Sequence, residues 1–328
     1  MGRRSSHYVP ILNHIDMKEK KMDDRKQGKT LSFNHWVKSR QGQKWMIIFV
    51  FLLIPLALLF TFTYLPFAKM LQFSFYKMGY LGDREFIGLE NYREVFTRPD
   101  YFATLKISIY YFVGAFIQMG LALYFATLLG FQLRGRNFFK GVLFFPYLIN
   151  GVAIGFIFLY FFKRMGTLDT LLSMIGIPKE IIPYWLKNRS INNISLSFVS
   201  VWRYMGQNLI MFIGAIQSID TTLYEASGLD GANRWQQFRY IILPGIKTVV
   251  SLNLILAVKG AISVFEIPYI ITNGSNGTAT FVIQTIQTAF KFKKVGLASA
   301  MAVVLLVMIL LITAIQEYCF KEKGEKLR

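Results

Sequence analysis

Six long apolar stretches constrain this chain more than any other feature of its sequence. The hydrocarbon core of a bilayer is crossed by about twenty helical residues, and each stretch reaches that length. We place the stretches near residues 45–67, 106–130, 141–162, 194–216, 249–271 and 297–320. The pattern predicts an all-α membrane protein with six transmembrane helices, and the even count puts both termini on one side of the membrane.

The composition favours a membrane protein over a nucleic-acid-binding protein, which is the alternative that the net charge suggests. Hydrophobic residues make up 54% of the 328 residues, and the mean hydropathy is +0.40. The net charge of +19 could indicate nucleic-acid binding. However, the basic residues are dispersed among apolar spans and no nucleic-acid motif accompanies them, so we predict no nucleic-acid partner.

Catalytic and metal chemistry have no support in the sequence. The single cysteine, Cys319, excludes an internal disulfide framework and a cysteine-based metal cluster. All three histidines, His7, His14 and His35, precede the first apolar stretch. No Gly-x-x-x-x-Gly-Lys-Ser/Thr segment is available to cradle the phosphates of a nucleotide. We predict no catalytic residues, no metal site and no cofactor within this chain.

Residues 1–44 form a basic segment that we separate from a membrane domain of residues 45–328. The segment holds eleven Lys/Arg against four Asp/Glu and lacks the short apolar core of a cleavable signal. We expect a retained cytoplasmic tail. Its aromatic residues beside lysines, such as Trp36 and Lys38, suit contact with anionic membrane lipid, although a disordered basic leader fits equally well.

A loop at residues 222–244 lies between the fourth and fifth apolar stretches and alternates apolar and polar residues at helical spacing. Thr222 and Glu225 have the form of a capping box, which predicts a helix start at residues 220–222. Asp230-Gly231 is a turn dipeptide in which glycine permits a positive φ, so the chain should turn there. Further apolar positions predict a second short helix: Trp235, Phe238, Ile241 and Ile242. Pro244 should end that pattern.

This loop resembles the signature loop of the permease subunits of binding-protein-dependent ABC importers, particularly the carbohydrate-uptake branch. The matching residues are Glu225-Ala226-Ser227, Asp230-Gly231-Ala232, Phe238 and Ile241-Ile242-Leu243-Pro244. We call residues 222–244 the signature loop. The chain departs from the family pattern at Ser227, where a second alanine is usual, at Asp220, where proline is usual, and at Thr248, where a further proline is common.

The resemblance implies a permease of a bacterial cell (inner) membrane whose signature loop, between helices four and five, is a cytosolic coupling-helix loop. Both termini would then be cytoplasmic. The distribution of Lys and Arg alone does not decide the orientation, because the loops assigned to the outside carry thirteen of them. The resemblance also implies a second, homologous permease subunit forming a heterodimer, two cytosolic ATPase subunits that bind ATP and Mg, and an external solute-binding protein.

The function implied by the resemblance is inward movement of sugars or oligosaccharides by alternating access. A secondary transporter, a membrane enzyme or scaffold, and a non-sugar solute are the alternatives. The resemblance assigns coupling to the ATPase to these residues: Glu225, Ala226, Asp230, Gly231, Ala232, Phe238, Leu243 and Pro244. Glu225 could instead only cap a helix, and the apolar side chains of the loop could either pack beneath it or anchor it in a groove.

Three ionisable residues lie within predicted spans, where such groups usually face a protein interior or a water-filled path: Arg203, Lys259 and Glu266. Lys259 and Glu266 are seven residues apart, so we expect them on one helix face. If all three line one cavity, a positive charge is left over, which raises an acidic (uronate) oligosaccharide as an alternative to a neutral one. A structural ion pair is the competing explanation.

The predicted substrate path combines those three residues with polar and aromatic neighbours: Gln118, Asn150, Trp202, Tyr204 and Asn208. Gln207 is a further candidate. Sugars require hydrogen-bonding groups and flat aromatic faces, which these side chains supply. The alternative is that they make hydrogen bonds between helices, which are worth about 0.6 kcal/mol each.

Overall fold

The computed structural model describes residues 40–130 and 134–325, and these are almost entirely helical. Two units are distinguished along the chain, Met1–Lys69 and Met70–Arg328. The predictions for the basic tail concern residues that lie mostly outside the described part. The elements in chain order are α1 Arg40–Leu59, π1 Phe60–Tyr64, α2 Leu65–Phe73, β1 Tyr76–Lys77, β2 Glu85–Phe86, α3 Glu90–Thr97, α4 Pro99–Ala103, α5 Ser108–Gly130, α6 Arg136–Leu148, α7 Gly151–Phe162, α8 Thr167–Met174, α9 Asn192–Gln217, α10 Thr221–Leu229, α11 Arg234–Gln237, π2 Phe238–Ile242, α12 Leu243–Gly245, α13 Lys247–Ile262, α14 Glu266–Thr272, α15 Phe281–Phe290 and α16 Val295–Glu325.

Four helices of the described part are long and apolar enough to cross a membrane: Gln43–Phe73, Pro99–Gly130, Lys247–Thr272 and Val295–Cys319. They coincide with four of the six predicted spans. The third predicted span is not one straight helix, because α6 and α7 meet at an angle of 94°. The fourth corresponds to α9, whose 26 residues include several amide, hydroxyl and charged side chains. Residues 40–130 and 134–325 therefore contain four or five candidate spans by length and composition.

The first span is apolar on all sides. From Phe51 to Phe62 the chain has no charged residue and includes many large apolar side chains. A helix that is apolar on all sides suits hydrocarbon rather than water. The span therefore meets the requirement for a membrane helix in its composition as well as its length.

Both π-helical turns lie just before a proline. π1 ends two residues before Pro66, and π2 ends two residues before Pro244. Proline has no backbone N–H and its ring collides with the carbonyl four residues earlier. In each turn the residue before the proline donates to a carbonyl five residues back, Leu65 to Phe60 and Leu243 to Phe238. We attribute the two widened turns to these prolines.

The second unit has its core where α5, α9 and α13 pack together. Buried side chains of α5, among them Ala122 and Ala126, meet Leu209 and Phe212 of α9. Close approach depends on small residues, as is usual between membrane helices. A Cβ at Gly114 would overlap the Ser197 hydroxyl of α9. Small residues thus bring the polar face of α9 against its neighbours.

A second cluster of buried apolar side chains joins α7 to α9 and α14. A third such cluster joins α3 and α15 to α16. In the third, Val95, Phe281 and Met301 are fully buried. Beside it, β1 and β2 form a short antiparallel hairpin in which Tyr76 pairs with Phe86. The buried Asn91 side chain donates to the carbonyls of Ser74 and Tyr76, at 2.8 and 3.0 Å. These contacts fix the chain that connects the first two spans.

The crossing of α6 and α9 provides a test of this packing. At Gly206 an added Cβ would overlap the Leu143 carbonyl and lie 2.7 Å from the Phe144 Cα. We expect Gly206→Ala to destabilise the protein by about 1–3 kcal/mol, because backbone atoms cannot move aside cheaply. Gly214→Ala is the matched control, since a Cβ there meets nothing within 4 Å on the same helix. Thermal unfolding of the purified protein measures both, and equal midpoints would contradict the close crossing.

Candidate functional site

A cavity of about 430 Å³ lies among α5, α9, α13 and the start of α14. Its wall contains amides, hydroxyls and aromatic rings, with one carboxylate. The hydrogen-bonding and aromatic lining residues are Tyr111, Gln118, Ser197, Ser200, Tyr204, Gln207, Asn208, Asn253, Ser263, Phe265 and Glu266. A concave site with a few convergent polar groups is the usual form of a small-molecule site.

The structure brings half of the predicted substrate path together at this cavity. Gln118, Tyr204, Asn208 and Glu266 line it, as does the further candidate Gln207. The other four residues of the predicted path are placed elsewhere. Whether any of the eight contacts a solute stays a prediction.

Two of those four residues have structural roles. The Asn150 side chain accepts a hydrogen bond from the Val152 N–H at 2.8 Å and thereby caps α7 where it departs from α6. Trp202 packs its ring edge-to-face against Phe158, with ring centroids 5.3 Å apart. Both positions are explained by the local fold.

The third, Arg203, forms an ion pair with Glu266. Its Nη1 donates to Glu266 Oε2 at 2.5 Å, and its guanidinium lies over the Tyr204 ring, 5.0 Å from the centroid. The Arg203 side chain is 11% exposed and that of Glu266 is 39% exposed. The pair links the middle of α9 to the first residue of α14, so the competing explanation of a structural ion pair fits Arg203.

The Glu266 carboxylate also packs against the beginning of α7. A Cβ at Gly151, the first residue of α7, would overlap that carboxylate and the Arg203 guanidinium. Only glycine leaves room for the pair at this position. The first turn of a helix carries free N–H groups and a partial positive charge, which favour a nearby anion.

The expectation that Lys259 and Glu266 share one helix face is wrong. α13 ends at Ile262 and α14 begins at Glu266, and Phe265 between them is non-helical, with φ −140° and ψ −56°. The Lys259 side chain is exposed and lies outside the cavity lining. Of the three ionisable residues only Glu266 lines the cavity, so the argument for a leftover positive charge there fails.

Several cavity residues were not among those predicted from the sequence. Tyr111 is buried, and its hydroxyl has no hydrogen-bond partner among the described residues. Asn253 is buried as well and donates to the Val249 carbonyl at 2.8 Å. An asparagine inside an apolar stretch was a signal that could have identified Asn253. Nothing local distinguishes Tyr111 from the other aromatic residues of its span.

The first helix of the signature loop begins at Thr221, within the predicted range of residues 220–222, but its cap differs from the prediction. The expected capping box of Thr222 and Glu225 is replaced by a cap from Asp220, whose side chain accepts from the Thr222 N–H at 2.9 Å. That backbone hydrogen bond lowers the pKa of the Asp220 carboxyl below its ordinary value. Asp220 is one of the positions where the chain departs from the family pattern, and the cap gives it a physical reason. Glu225 itself is exposed.

The turn and the second helix of the loop agree with their prediction in outline. Gly231 has a φ of +78°, as the Asp-Gly turn requires. α11 begins at Arg234, because Asn233 caps it. Asn233 and Gln236 form a capping box, with each side chain accepting from the backbone N–H of the other at 2.9 and 2.7 Å. The helix then widens into π2, and Pro244 follows in the first turn of α12.

A side-chain bridge holds the two helices of the loop together. Gln237 Nε2 donates to Ser227 Oγ at 3.0 Å, and Ser227 Oγ donates to the Tyr224 carbonyl at 2.9 Å. Ser227 is the second departure from the family pattern. Its hydroxyl gives the loop a cross-link that an alanine cannot supply.

The loop is buried at its base and exposed at its tip. Ile242 is fully buried in the α5–α9 cluster, and Phe238 packs against the same cluster. In contrast, Leu229 is 90% exposed and Trp235 is 68% exposed. The predicted apolar stripe therefore runs from the core to the surface. Both exposed side chains lie outside the candidate spans.

Bent and interrupted membrane helices around a polar cavity are typical of membrane transporters, in which broken helices line the solute path. A family model described as "Binding-protein-dependent transport system inner membrane component" matches residues 118–322. The chain belongs to this family. Membership does not favour a secondary transporter or a membrane enzyme or scaffold.

Relatives and solved structures agree with that assignment. The probable ABC transporter permease protein YurN of Bacillus subtilis (strain 168) is 32% identical over 292 residues, covering 87% of this chain and 99% of that protein. The probable starch degradation products transport system permease protein AmyD of Thermoanaerobacterium thermosulfurigenes is 28% identical over 264 residues, covering 79% and 88%. A crystal structure of a bacterial ABC transporter involved in the import of the acidic polysaccharide alginate shares the fold, with a TM-score of 0.76 and 20% identity over 85% of this chain and 96% of that chain.

The Ser227 bridge predicts a local change in stability. Ser227→Ala should raise the hydrogen-exchange rates of the amides of α10 and α11 about two- to tenfold, because a net hydrogen bond is worth about 0.5–1.5 kcal/mol. Ser218→Ala is the control, since its hydroxyl donates only to the Ala215 carbonyl. Exchange measured by mass spectrometry on the purified protein distinguishes the two variants. Unchanged rates in Ser227→Ala would show that the bridge does not stabilise the loop.

Proposed function

We propose that this chain is a transmembrane permease subunit of an ATP-driven ABC importer that moves sugars or oligosaccharides inward. The observation that carries the proposal is the cavity of about 430 Å³ with its amide, hydroxyl and aromatic lining. A solute rich in hydroxyl groups exchanges its hydrogen bonds to water for hydrogen bonds to such a wall. The AmyD relative, which by its name transports starch degradation products, supports the same class of solute.

The proposed topology has six spans with both termini in the cytosol. α9 provides the fourth span: at about 1.5 Å per residue its 26 residues exceed a core of about 30 Å. Its polar side chains do not oppose this placement, because they lie on the side of the helix that meets other helices. Ser197 donates to the Tyr110 carbonyl of α5 at 2.9 Å, and Asn208 is buried at the cavity.

The energy for transport comes, in this proposal, from two separate cytosolic ATPase subunits that bind ATP and Mg. They contact the exposed tip of the signature loop, where Leu229 and Trp235 offer apolar anchors to a groove. A second, homologous permease completes the membrane path, and an external solute-binding protein delivers the solute. When the ATPase pair closes, it pushes on the loop, and the buried Ile242 transmits the movement to α5 and α9.

The turn at Gly231 tests the coupling role. Its φ of +78° is strained for any residue with a side chain, so Gly231→Val should distort the hairpin by moving α11 relative to α10. We expect solute-stimulated ATPase activity of the reconstituted complex to fall at least about tenfold, while the permease remains in the membrane.

Gly228→Val provides the matched control. It makes the same chemical change three residues earlier, where φ is not positive and an added Cβ meets nothing within 4 Å. The control should retain most of the stimulation. If Gly231→Val is stimulated as well as Gly228→Val, the loop does not transmit the ATPase movement.

The orientation is tested by labelling single cysteines in a Cys319→Ser background. Asp83→Cys and Asn276→Cys should react with a membrane-impermeant maleimide added to intact cells. Arg136→Cys and Asp230→Cys should react only after the membrane is opened, because both lie in loops assigned to the cytosol. External labelling of Arg136→Cys would overturn the topology without affecting the family assignment.

A further inference from the structure

We propose that the Arg203–Glu266 ion pair makes the cavity accept uncharged solutes and reject anionic ones. The proposal rests on the importer function proposed above and adds the charge class of its solute. It assigns Glu266 the role of a specificity-determining residue and Arg203 the role of a positioning residue behind it.

The first observation is the charge of the cavity wall. Glu266 is the only residue with a charged side chain among the described residues that line the cavity. The cation that balances it, Arg203, does not line the cavity, and its side chain is 11% exposed. A solute therefore meets the carboxylate and not the guanidinium.

The second observation is that the hydrogen bonds and packing of the pair hold Arg203 away from a solute. One guanidinium nitrogen is bonded to Glu266, the Cζ of the group lies 5.0 Å from the centroid of the Tyr204 ring, and the Nε is buried without a hydrogen-bond partner in the described part of the chain. The Glu266 carboxylate and that guanidinium both lie against the first turn of α7 at Gly151. Contacts from α7, α9 and α14 thus hold the two side chains together.

The remaining charged candidate does not compensate for this arrangement. Lys259 is exposed and lies outside the cavity lining, on the other side of the break between α13 and α14. A solute carboxylate would lose its hydration, approach the carboxylate of Glu266 and meet no cation among the described residues that line the cavity. A neutral sugar pays no such penalty and can use Gln118, Gln207 and Asn208.

The fold itself does not set the charge of the solute. One solved structure with this fold comes from an importer of the acidic polysaccharide alginate. Charge selectivity must therefore arise from the side chains of each cavity. In this chain the charged side chain that faces the cavity is that of Glu266, an anion.

Charged thiol reagents test the proposal without relying on delivery by the binding protein. Ser200 lines the cavity and is half-buried, so Ser200→Cys in a Cys319→Ser background places one thiol in the wall. The purified full complex is treated with a neutral hydroxyethyl and an anionic sulfonatoethyl methanethiosulfonate of similar size. Asp83→Cys in the same background, at an exposed position outside the candidate spans, supplies the reference ratio of the two rates.

We expect the anionic reagent to modify Ser200→Cys at least about tenfold more slowly than the neutral reagent, relative to that reference ratio. Adding Glu266→Gln should raise the anionic rate selectively by at least about fivefold, because the guanidinium then lacks its anion. Adding Glu266→Gln together with Arg203→Gln should abolish the discrimination without creating a preference for the anion. If Glu266→Gln alone does not fold, the double variant still tests the proposal, because it removes both charges of the pair together.

Equal rates for the two reagents in the background variant would overturn the proposal, as would unchanged discrimination after removal of both charges. Uptake of maltotriose by the reconstituted importer is measured in parallel. If maltotriose is transported and the reagents are not discriminated, the importer function stands and the charge filter fails. If the reagents are discriminated and maltotriose is not transported, the cavity has the proposed charge and the sugar assignment fails.

Discussion

The Arg203–Glu266 ion pair is the interaction on which the polar interior of this permease depends. It joins the middle of α9 to the first residue of α14, and Gly151 admits it to the first turn of α7. Removing Glu266 would leave the Arg203 guanidinium, whose side chain is 11% exposed, without a compensating charge, which is destabilising. The two interruptions that shape the cavity, the 94° bend between α6 and α7 and the break before α14, both lie next to this pair. The helices can be interrupted at these two points because the polar side chains of Arg203 and Glu266 lie beside both of them.

The signature loop is organised by hydrogen bonds of its own. Asp220 caps its first helix, Asn233 and Gln236 cap the second, and the Ser227–Gln237 bond ties the two together. Its base is held by Ile242 and Ile246, which are buried with side chains of α5 and α9. A rigid hairpin with a buried base and an apolar tip is suited to transmitting a displacement, because it bends less than a disordered loop would.

Features set by residues close together in the chain were predicted from the sequence, and features set by contacts between different helices were missed. Apolar length located four spans, and the Asp-Gly dipeptide located the turn at Gly231. The break between α13 and α14 was missed because residues 263–265 contain neither glycine nor proline, and the interruption is stabilised by partners on other helices. Thr222 was preferred to Asp220 as the cap because both residue types cap helices and only the backbone geometry decides between them. The polar residues of α9 were recognised, but their division between cavity and packing required the tertiary structure.

The π-helical turn before Pro244 determines how the signature loop is rotated about the axis of the helix that follows. A π-turn contains one residue more than an α-helical turn, and one residue corresponds to about 100° of rotation. Side chains before π2, such as Trp235, are therefore out of phase with those of α12 by about that angle compared with a continuous α-helix. The rotation of the loop about the helix axis therefore depends on the number of residues in the turn, and not on which side chains occupy the tip.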